Sequence, residues 1–203
     1  MEIAERVLSN GGRVLLLSSS AVFDCLSPLQ KADSPRSPRS IYGQLKAEAE
    51  TRLFNCGAGA SVLRLTKVLR PDSGILAEWV ERLGLVQTVE AFEDHRFCPL
   101  PLRAVTDAIM AILEASEDGI FQVSGAADVS YFDAARHIAV RIGAPIVRVT
   151  GVRAVDRGIP DSEVTPYTSL DSRRLDALAG FVPPQPFAVI DEVFQSSIAR
   201  LRA

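Results

Sequence analysis

The sequence predicts an α/β fold in which helices alternate with parallel strands, and three observations predict it. Helix-period and strand-like segments alternate from the N-terminus onward. The run Arg13-Val14-Leu15-Leu16-Leu17-Ser18 is short and apolar on both faces, as a strand covered from both sides must be. Turn and cap residues punctuate the segments: Gly11-Gly12, Ser40 and Gly57 each stand at a boundary.

In chain order, residues 2–10 carry Ile3, Val7 and Leu8 at helical spacing, and Gly11-Gly12 stops that helix. The strand 13–18 follows. Residues 25–40 hold three prolines and four serines among charged residues and read as a surface loop. Ser40 caps a helix from Ile41 to about Asn55, with Ile41, Leu45, Ala49 and Leu53 as its expected buried stripe. Ser61-Val62-Leu63-Arg64-Leu65 is a second strand. Strands joined through crossover helices pair in parallel. Further on, the pattern predicts a helix over 74–84, a short strand over 85–91, a helix over 102–115 and a strand over 120–125. Ser130 with Asp133 opens a helix through Ile142 as a capping box. A strand over 146–150, a loop over 151–168, and helices over 171–179 and 187–201 complete the chain.

Composition bounds the function classes. The chain has 203 residues, 47% hydrophobic and 23% charged, enough for one ordinary globular core with an appendage. A formal net charge of −3 gives no footprint for nucleic acid or membrane surfaces. No apolar stretch is long enough to span a bilayer, and the N-terminus lacks the layout of a signal peptide. Cys25, Cys56 and Cys98 are odd in number and widely spaced, which suits reduced thiols in the cytoplasm and offers no zinc spacing. A cytoplasmic location and no bound metal are the expectations.

Three features carry chemistry. Ser18-Ser19-Ser20 closes the first strand, Tyr42-Gly43-Gln44-Leu45-Lys46 opens the next helix, and Leu65-Thr66-Lys67 ends the second strand. Tyr42 and Lys46 are four apart and share a helix face. An ammonium beside a phenol favours the phenolate, which makes Tyr42 a candidate general acid/base for a carbonyl or alcohol oxygen. A serine at the carboxyl end of a parallel strand lies where α/β folds bind ligands. Strand alternation turns Ser19 to the opposite side from Ser18 and Ser20. Taken singly, a Tyr-x-x-x-Lys pair arises by composition about 5% of the time, and serines after a strand often only form turns. The conjunction of strand, serine triplet, proline-rich loop and helix-start pair is what selects the catalytic reading.

The stretch Leu17-Ser18-Ser19-Ser20-Ala21-Val22-Phe23-Asp24, then Pro38, then Tyr42-Gly43-x-x-Lys46-x-x-x-Glu50, resembles the extended short-chain dehydrogenase/reductase family, which includes NAD-dependent epimerases and dehydratases. The Val-Phe-Asp tripeptide is most similar to the dTDP-4-dehydrorhamnose reductase group. Leu63-Arg64-Leu65-Thr66-Lys67-Val68, Phe97-Cys98-Pro99-Leu100-Pro101-Leu102 and Ser169-Leu170-Asp171-Ser172-Arg173-Arg174-Leu175 extend the likeness over most of the chain. The resemblance implies the C-terminal part of a doubly wound Rossmann-like parallel sheet with a small α/β substrate-binding lobe. Residues 1–70 would be the remaining part of the NAD(P)-binding domain, and 71–203 mainly the lobe, with 103–125 returning to the sheet. It implies Ser19, Tyr42 and Lys46 as the catalytic set. Tyr42, Lys46, Leu65 and Thr66 would meet the cofactor, NAD or NADP, and Ser20 and Lys67 would face the substrate. Lys67 is equally readable as a solvated lysine at a loop start.

The implied activity is reduction or epimerisation of a keto group on a nucleotide-activated sugar. Two other readings stand beside it: a non-catalytic sugar-nucleotide- or partner-binding remnant, and a reductase of a non-sugar carbonyl compound. Ser20 stands where the family's 4,6-dehydratases carry an acid, which argues against dehydration. Arg103 and Ala104 replace an acidic pair usual in the family. No G-x-G-x-x-G or G-x-x-G-x-x-G occurs, so the pyrophosphate-binding segment is expected to be missing and the chain to be an incomplete form. The same absence leaves NAD against NADP undecided. Residues 2–10 and 41–55 are the expected surface of a possible homodimer.

Overall fold

A computed structural model describes residues 2–202. Its helices are α1 (Glu2–Ser9), α2 (Ile41–Asn55), α3 (Ile75–Gly84), α4 (Leu102–Ala115), α5 (Tyr131–Ile142), α6 (Arg173–Ala179) and α7 (Pro186–Arg202). Its strands are β1 (Val14–Ser19), β2 (Ala60–Leu65), β3 (Lys67–Leu69), β4 (Val89–Phe92), β5 (Arg96–Phe97), β6 (Pro99–Pro101), β7 (Gly119–Val123), β8 (Val129–Ser130) and β9 (Val149–Val152).

The main sheet is parallel, in the order β1-β2-β7. Leu17 lies beside Leu63, and Leu63 beside Phe121. Side chains alternate between its two faces. On one face Leu16 and Val62 pack with Leu8 of α1 and Leu53 of α2. On the other, Leu63 and Phe121 pack with Val105 and Ile112 of α4 and Leu175 of α6. Helices therefore cover both faces, the doubly wound Rossmann-like arrangement. Among the described residues β1 pairs with β2 alone, so its other edge is open.

A second core gathers α3, α5 and α7 around Trp79, Leu83, Ile138, Val189 and Phe194, with Val89 of β4 and Val149 of β9. β4 and β9 pair in parallel. Two short ladders, β3 with β6 and β5 with β8, complete the strand pairing. Among the described residues no helix is long and apolar enough to cross a membrane.

Most elements fall where the pattern predicts, and the differences have physical reasons. α2 runs over the predicted residues, but its buried stripe does not: Ile41 is 76% and Leu45 61% exposed. The inward positions are Gly43, Glu50 and Leu53. A glycine in close contact and a paired carboxylate make that face look polar in the sequence. The strand expected over 85–91 begins only at Val89, because α3 ends in a turn in which Gln87 N–H bonds the Arg82 carbonyl. The strand expected over 146–150 starts as a 3-10 turn after Pro145 and becomes β9 at Val149.

Candidate active site

β1 delivers Ser18, Ser19 and Ser20 to the carboxyl edge of the sheet, where the chain turns through a 3-10 turn over Ser20–Val22. Ser19 Oγ caps that turn, accepting from the Ala21 amide at 3.2 Å. Ser18 and Ser20 are buried, while Ser19 is half-buried. The Oγ of Ser18 has no hydrogen-bond partner.

α2 begins at Ile41 because Ser40 Oγ accepts from the Gly43 amide at 3.1 Å. Gly43 sets how close this helix start comes to the serine turn. A Cβ there would overlap the Ala21 carbonyl oxygen and crowd the Pro38 side chain. The missing side chain thus lets the first turn of α2 rest on the backbone two residues past Ser19.

Tyr42 is 55% exposed on this helix start. The Lys46 ammonium lies 5.8 Å from the centre of the Tyr42 ring and donates to the Leu17 carbonyl at 3.0 Å. The pair therefore stands at β1, next to Leu17, which is itself 40% exposed. Leu65 ends β2 one strand away and Thr66 follows it; Thr66 is buried and its Oγ1 has no partner. The structure thus brings Tyr42 and Lys46 together and sets the serine turn against their helix.

Lys67 belongs to a different cluster. Its ammonium lies 5.8 Å from the Phe97 ring and 5.6 Å from the Tyr131 ring. Beyond Tyr131 opens a cavity of about 500 Å³, lined by Trp79, Phe92, His95, Tyr131, Ile75 and Arg157 among others. His95 sits 5.6 Å from Tyr131 and 6.1 Å from Phe92, and Trp79 meets Tyr131 edge-on at 6.1 Å. Arg157 forks onto Glu90 at 3.1 and 2.6 Å. Burial holds the His95 imidazole below its ordinary value, the Asp94 carboxylate opposing and the Lys67 ammonium reinforcing the effect. A smaller hollow of about 140 Å³ adjoins it through Ile75 and is lined by Lys67, Arg70 and Gly74, at the uncapped start of α3. Sequence reasoning missed this cavity. Its residues are scattered from 75 to 159, and no local spacing links them.

Other side chains find structural roles. Arg103 forks onto Glu192 at 2.6 and 2.8 Å and ties α4 to α7, while Ala104 is buried in the core. Burial pushes the Cys25 and Cys98 thiols up to about 11. They stay protonated at neutral pH and are poor nucleophiles.

Parallel strands wrapped by helices on both faces, with polar side chains gathered at their carboxyl edge, define a Rossmann-type α/β protein. The chain belongs to the RmlD substrate binding domain family, whose model matches residues 1–197. Among curated proteins it is similar to the methionine adenosyltransferase 2 subunit beta of Xenopus tropicalis, 36% identical over 76 residues, or 37% of this chain. That match spans 22% of the curated relative's length. Among solved structures, the dTDP-4-dehydrorhamnose reductase of Yersinia enterocolitica superposes with a TM-score of 0.83 at 17% identity, over 97% of this chain and 70% of that one. The Bacillus anthracis dTDP-4-dehydrorhamnose reductase, solved in complex with NADP, gives 0.81 at 19% identity, over 95% and 70%. A hypothetical dTDP-4-dehydrorhamnose reductase from Sulfolobus tokodaii gives 0.71 at 26% identity, over 87% and 63%.

Proposed function

We propose that this chain carries the catalytic residues and the substrate lobe of an NAD(P)-dependent oxidoreductase that reduces, or epimerises through, a keto group on a nucleotide-activated sugar. The observation that carries the reading is the Tyr42–Lys46 pair, the Lys46 ammonium 5.8 Å from the Tyr42 ring centre, beside the serine turn that ends β1. The exposed Leu17 and Tyr42 and the unpartnered Thr66 hydroxyl at this edge suit the nicotinamide end of a dinucleotide. A nicotinamide bound here supplies or accepts the hydride. Tyr42 passes the proton at the substrate oxygen, and Ser19 orients that oxygen. Lys46, which donates to the Leu17 carbonyl here, would hold the nicotinamide ribose. Leu65 and Thr66 line the nicotinamide side. The solved structures similar to this chain include dTDP-sugar enzymes and a complex with UDP-glucuronic acid and NAD. The aromatic cavity suits a nucleobase, and Lys67 with Arg70 beside the start of α3 suits its phosphates. Ser20, in place of an acid, favours reduction over dehydration.

In this reading residues 1–70, joined by 103–125, are the remaining part of the dinucleotide-binding domain in a cytoplasmic enzyme, and the rest of 71–203 is the lobe. The 203 residues hold no G-x-G-x-x-G turn to cradle a dinucleotide pyrophosphate. The outward faces of α1 and α2 form a homodimer surface. The match to a subunit of methionine adenosyltransferase supports a second reading, a nucleotide- or partner-binding subunit without turnover. The test follows NADPH or NADH oxidation by the protein with a nucleotide-linked 4-keto sugar. Turnover supports the enzyme. Nucleotide binding with no turnover, under conditions that support the solved reductases, favours the binding subunit.

A further inference from the structure

The loop between β1 and α2 carries the same triplet twice, Ser34-Pro35-Arg36 and Ser37-Pro38-Arg39. Ser34 is half-buried, whereas Ser37 is exposed in a stretch outside any helix or strand. The Ser37 amide donates to the Val22 carbonyl at 3.0 Å, which ties this stretch to the turn after β1. Proline at the next position holds Ser37 extended and offers no amide donor there. The two arginines are held unequally. Arg36 reaches the Ala47 carbonyl at 2.7 Å, Thr51 Oγ1 at 2.9 Å and the buried Glu50 carboxylate at 3.4 Å. Among the described residues, Arg39 donates to two neutral acceptors, the Asp161 carbonyl at 3.1 Å and the Val164 carbonyl at 3.2 Å. Those carbonyls belong to the 3-10 turn Asp161–Glu163 and the residue after it. Next in the chain is Thr165, whose carbonyl accepts from the Arg96 amide at 2.9 Å. Residues 161–165 thus form a strap, pinned at one end by Arg39 from the start of α2 and at the other by β5. Between the strap and the turn after β1 lies a cavity of about 440 Å³, lined by Ala21, Phe23, Asp24, Ile41 and Glu163 among others.

We propose that Ser37 is a phosphorylation site for a proline-directed protein kinase, and that its phosphate draws Arg39 off the strap. The exposed, extended Ser-Pro step with a cation one residue further suits the groove of such a kinase, which requires no amide donor after the serine. In the transfer the Ser37 oxygen bonds the γ-phosphorus of ATP and the bond from that phosphorus to the bridging oxygen breaks. ADP leaves with that oxygen, and the hydroxyl proton passes to a base of the kinase. The product carries a charge of about −1.5 to −2 at neutral pH. Two residues span at most about 7 Å of extended backbone, a gap that the Arg39 side chain covers. Guanidinium–phosphate hydrogen bonds are about twice as strong as those to a neutral carbonyl, so Arg39 leaves Asp161 and Val164. Arg36 stays, because its partners include a buried carboxylate. The phosphate also lies just before the amino end of α2, which favours negative charge. The strap is then pinned from β5 alone, and the mouth of the cavity beside it loosens. The modification is independent of the reaction proposed above.

The test incubates the 203-residue chain with ATP and a proline-directed serine/threonine protein kinase, and locates phosphate by peptide mass spectrometry. Phosphate is expected on Ser37. Ser37→Ala should take up none, and Ser34→Ala should be labelled like the unaltered chain. Hydrogen exchange then reads the strap. Phosphorylation is expected to speed exchange of the Glu163 and Val164 amides on the order of tenfold, the worth of one or two weak hydrogen bonds, and to leave the α2 amides unchanged. Arg39→Ala should show the same faster exchange before phosphorylation and no further change after it. Labelling of Ser34 in place of Ser37, or no labelling of the folded chain, overturns the site. Unchanged protection of the strap in the phosphorylated chain, or a further gain in exchange when Arg39→Ala is phosphorylated, overturns the transfer of Arg39.

Discussion

Glu50 and Arg64 form a forked ion pair with no access to water: Nε meets one carboxylate oxygen at 3.0 Å and the terminal nitrogen meets the other at 2.8 Å. The pair locks α2 onto β2, below the turn that carries Tyr42. Arg64 also donates to the Ala32 carbonyl at 3.0 Å, and Arg36 reaches Glu50 at 3.4 Å, so the proline-rich loop joins the same network. Removing one partner strands a buried charge. Glu50→Ala should cost about 3–5 kcal/mol. The double change Glu50→Leu with Arg64→Met should cost much less, because both charges leave together. Urea unfolding of the three proteins checks this.

Gly43→Ala opposes two effects. Alanine in a helix is worth about 1 kcal/mol over glycine. Against that, its Cβ would occupy the space of the Ala21 carbonyl oxygen, which belongs to backbone and cannot swing away. Overpacking of this kind costs about 1–3 kcal/mol. The clash is expected to win, lowering the thermal midpoint and displacing Tyr42 from the serine turn. A midpoint equal to or above that of the unaltered chain would remove Gly43 from the positioning role.

Val86 ends α3 in the left-handed conformation, with φ of 58°, and is 51% exposed. A β-branched residue is strained there. Val86→Gly is expected to stabilise the protein by about 0.5–1 kcal/mol after allowance for the freer unfolded chain. Denaturant titration should show a raised midpoint with an unchanged slope.

These particulars also mark how far the sequence could be read. Ser40 and Gly57 bound α2 correctly, and Ser130 with Asp133 forms the expected capping box, Ser130 Oγ accepting from the Asp133 amide at 2.9 Å. Caps are local and are read locally. The α2 stripe was misread because its inward face holds Gly43 and Glu50, whose burial depends on Ala21 and Arg64 from other elements. The strands β3, β5, β6 and β8 have two or three residues each, too few for a period, and β6 carries prolines at both ends. Tyr42 and Lys46 were legible because one helix sets their spacing. The His95 cavity was not, because α3, β4, α5 and the segment beyond β9 each supply part of it.

His95 also predicts a pH dependence of stability. Its ordinary value is 6.5, and burial lowers it in the folded protein. The unfolded chain therefore takes up a proton at a higher pH than the folded one. This group costs nothing above about pH 6.5. Its destabilisation grows as pH falls below that value and levels off once the folded group is itself protonated. His95→Phe should flatten the dependence of the urea midpoint on pH over that window. An unchanged slope would contradict the burial of the imidazole.

The measurement that bears most directly on the proposed chemistry is the effect of Tyr42→Phe on turnover. The substitution keeps the ring beside Lys46 and removes only the hydroxyl that is to carry the proton. With a nucleotide-linked keto sugar and NADPH or NADH, kcat should fall by about 10²–10⁴, while the cofactor Kd changes by no more than a few-fold. Near-normal kcat in the Phe variant would contradict the account, since the proton would then have to come from a group other than Tyr42.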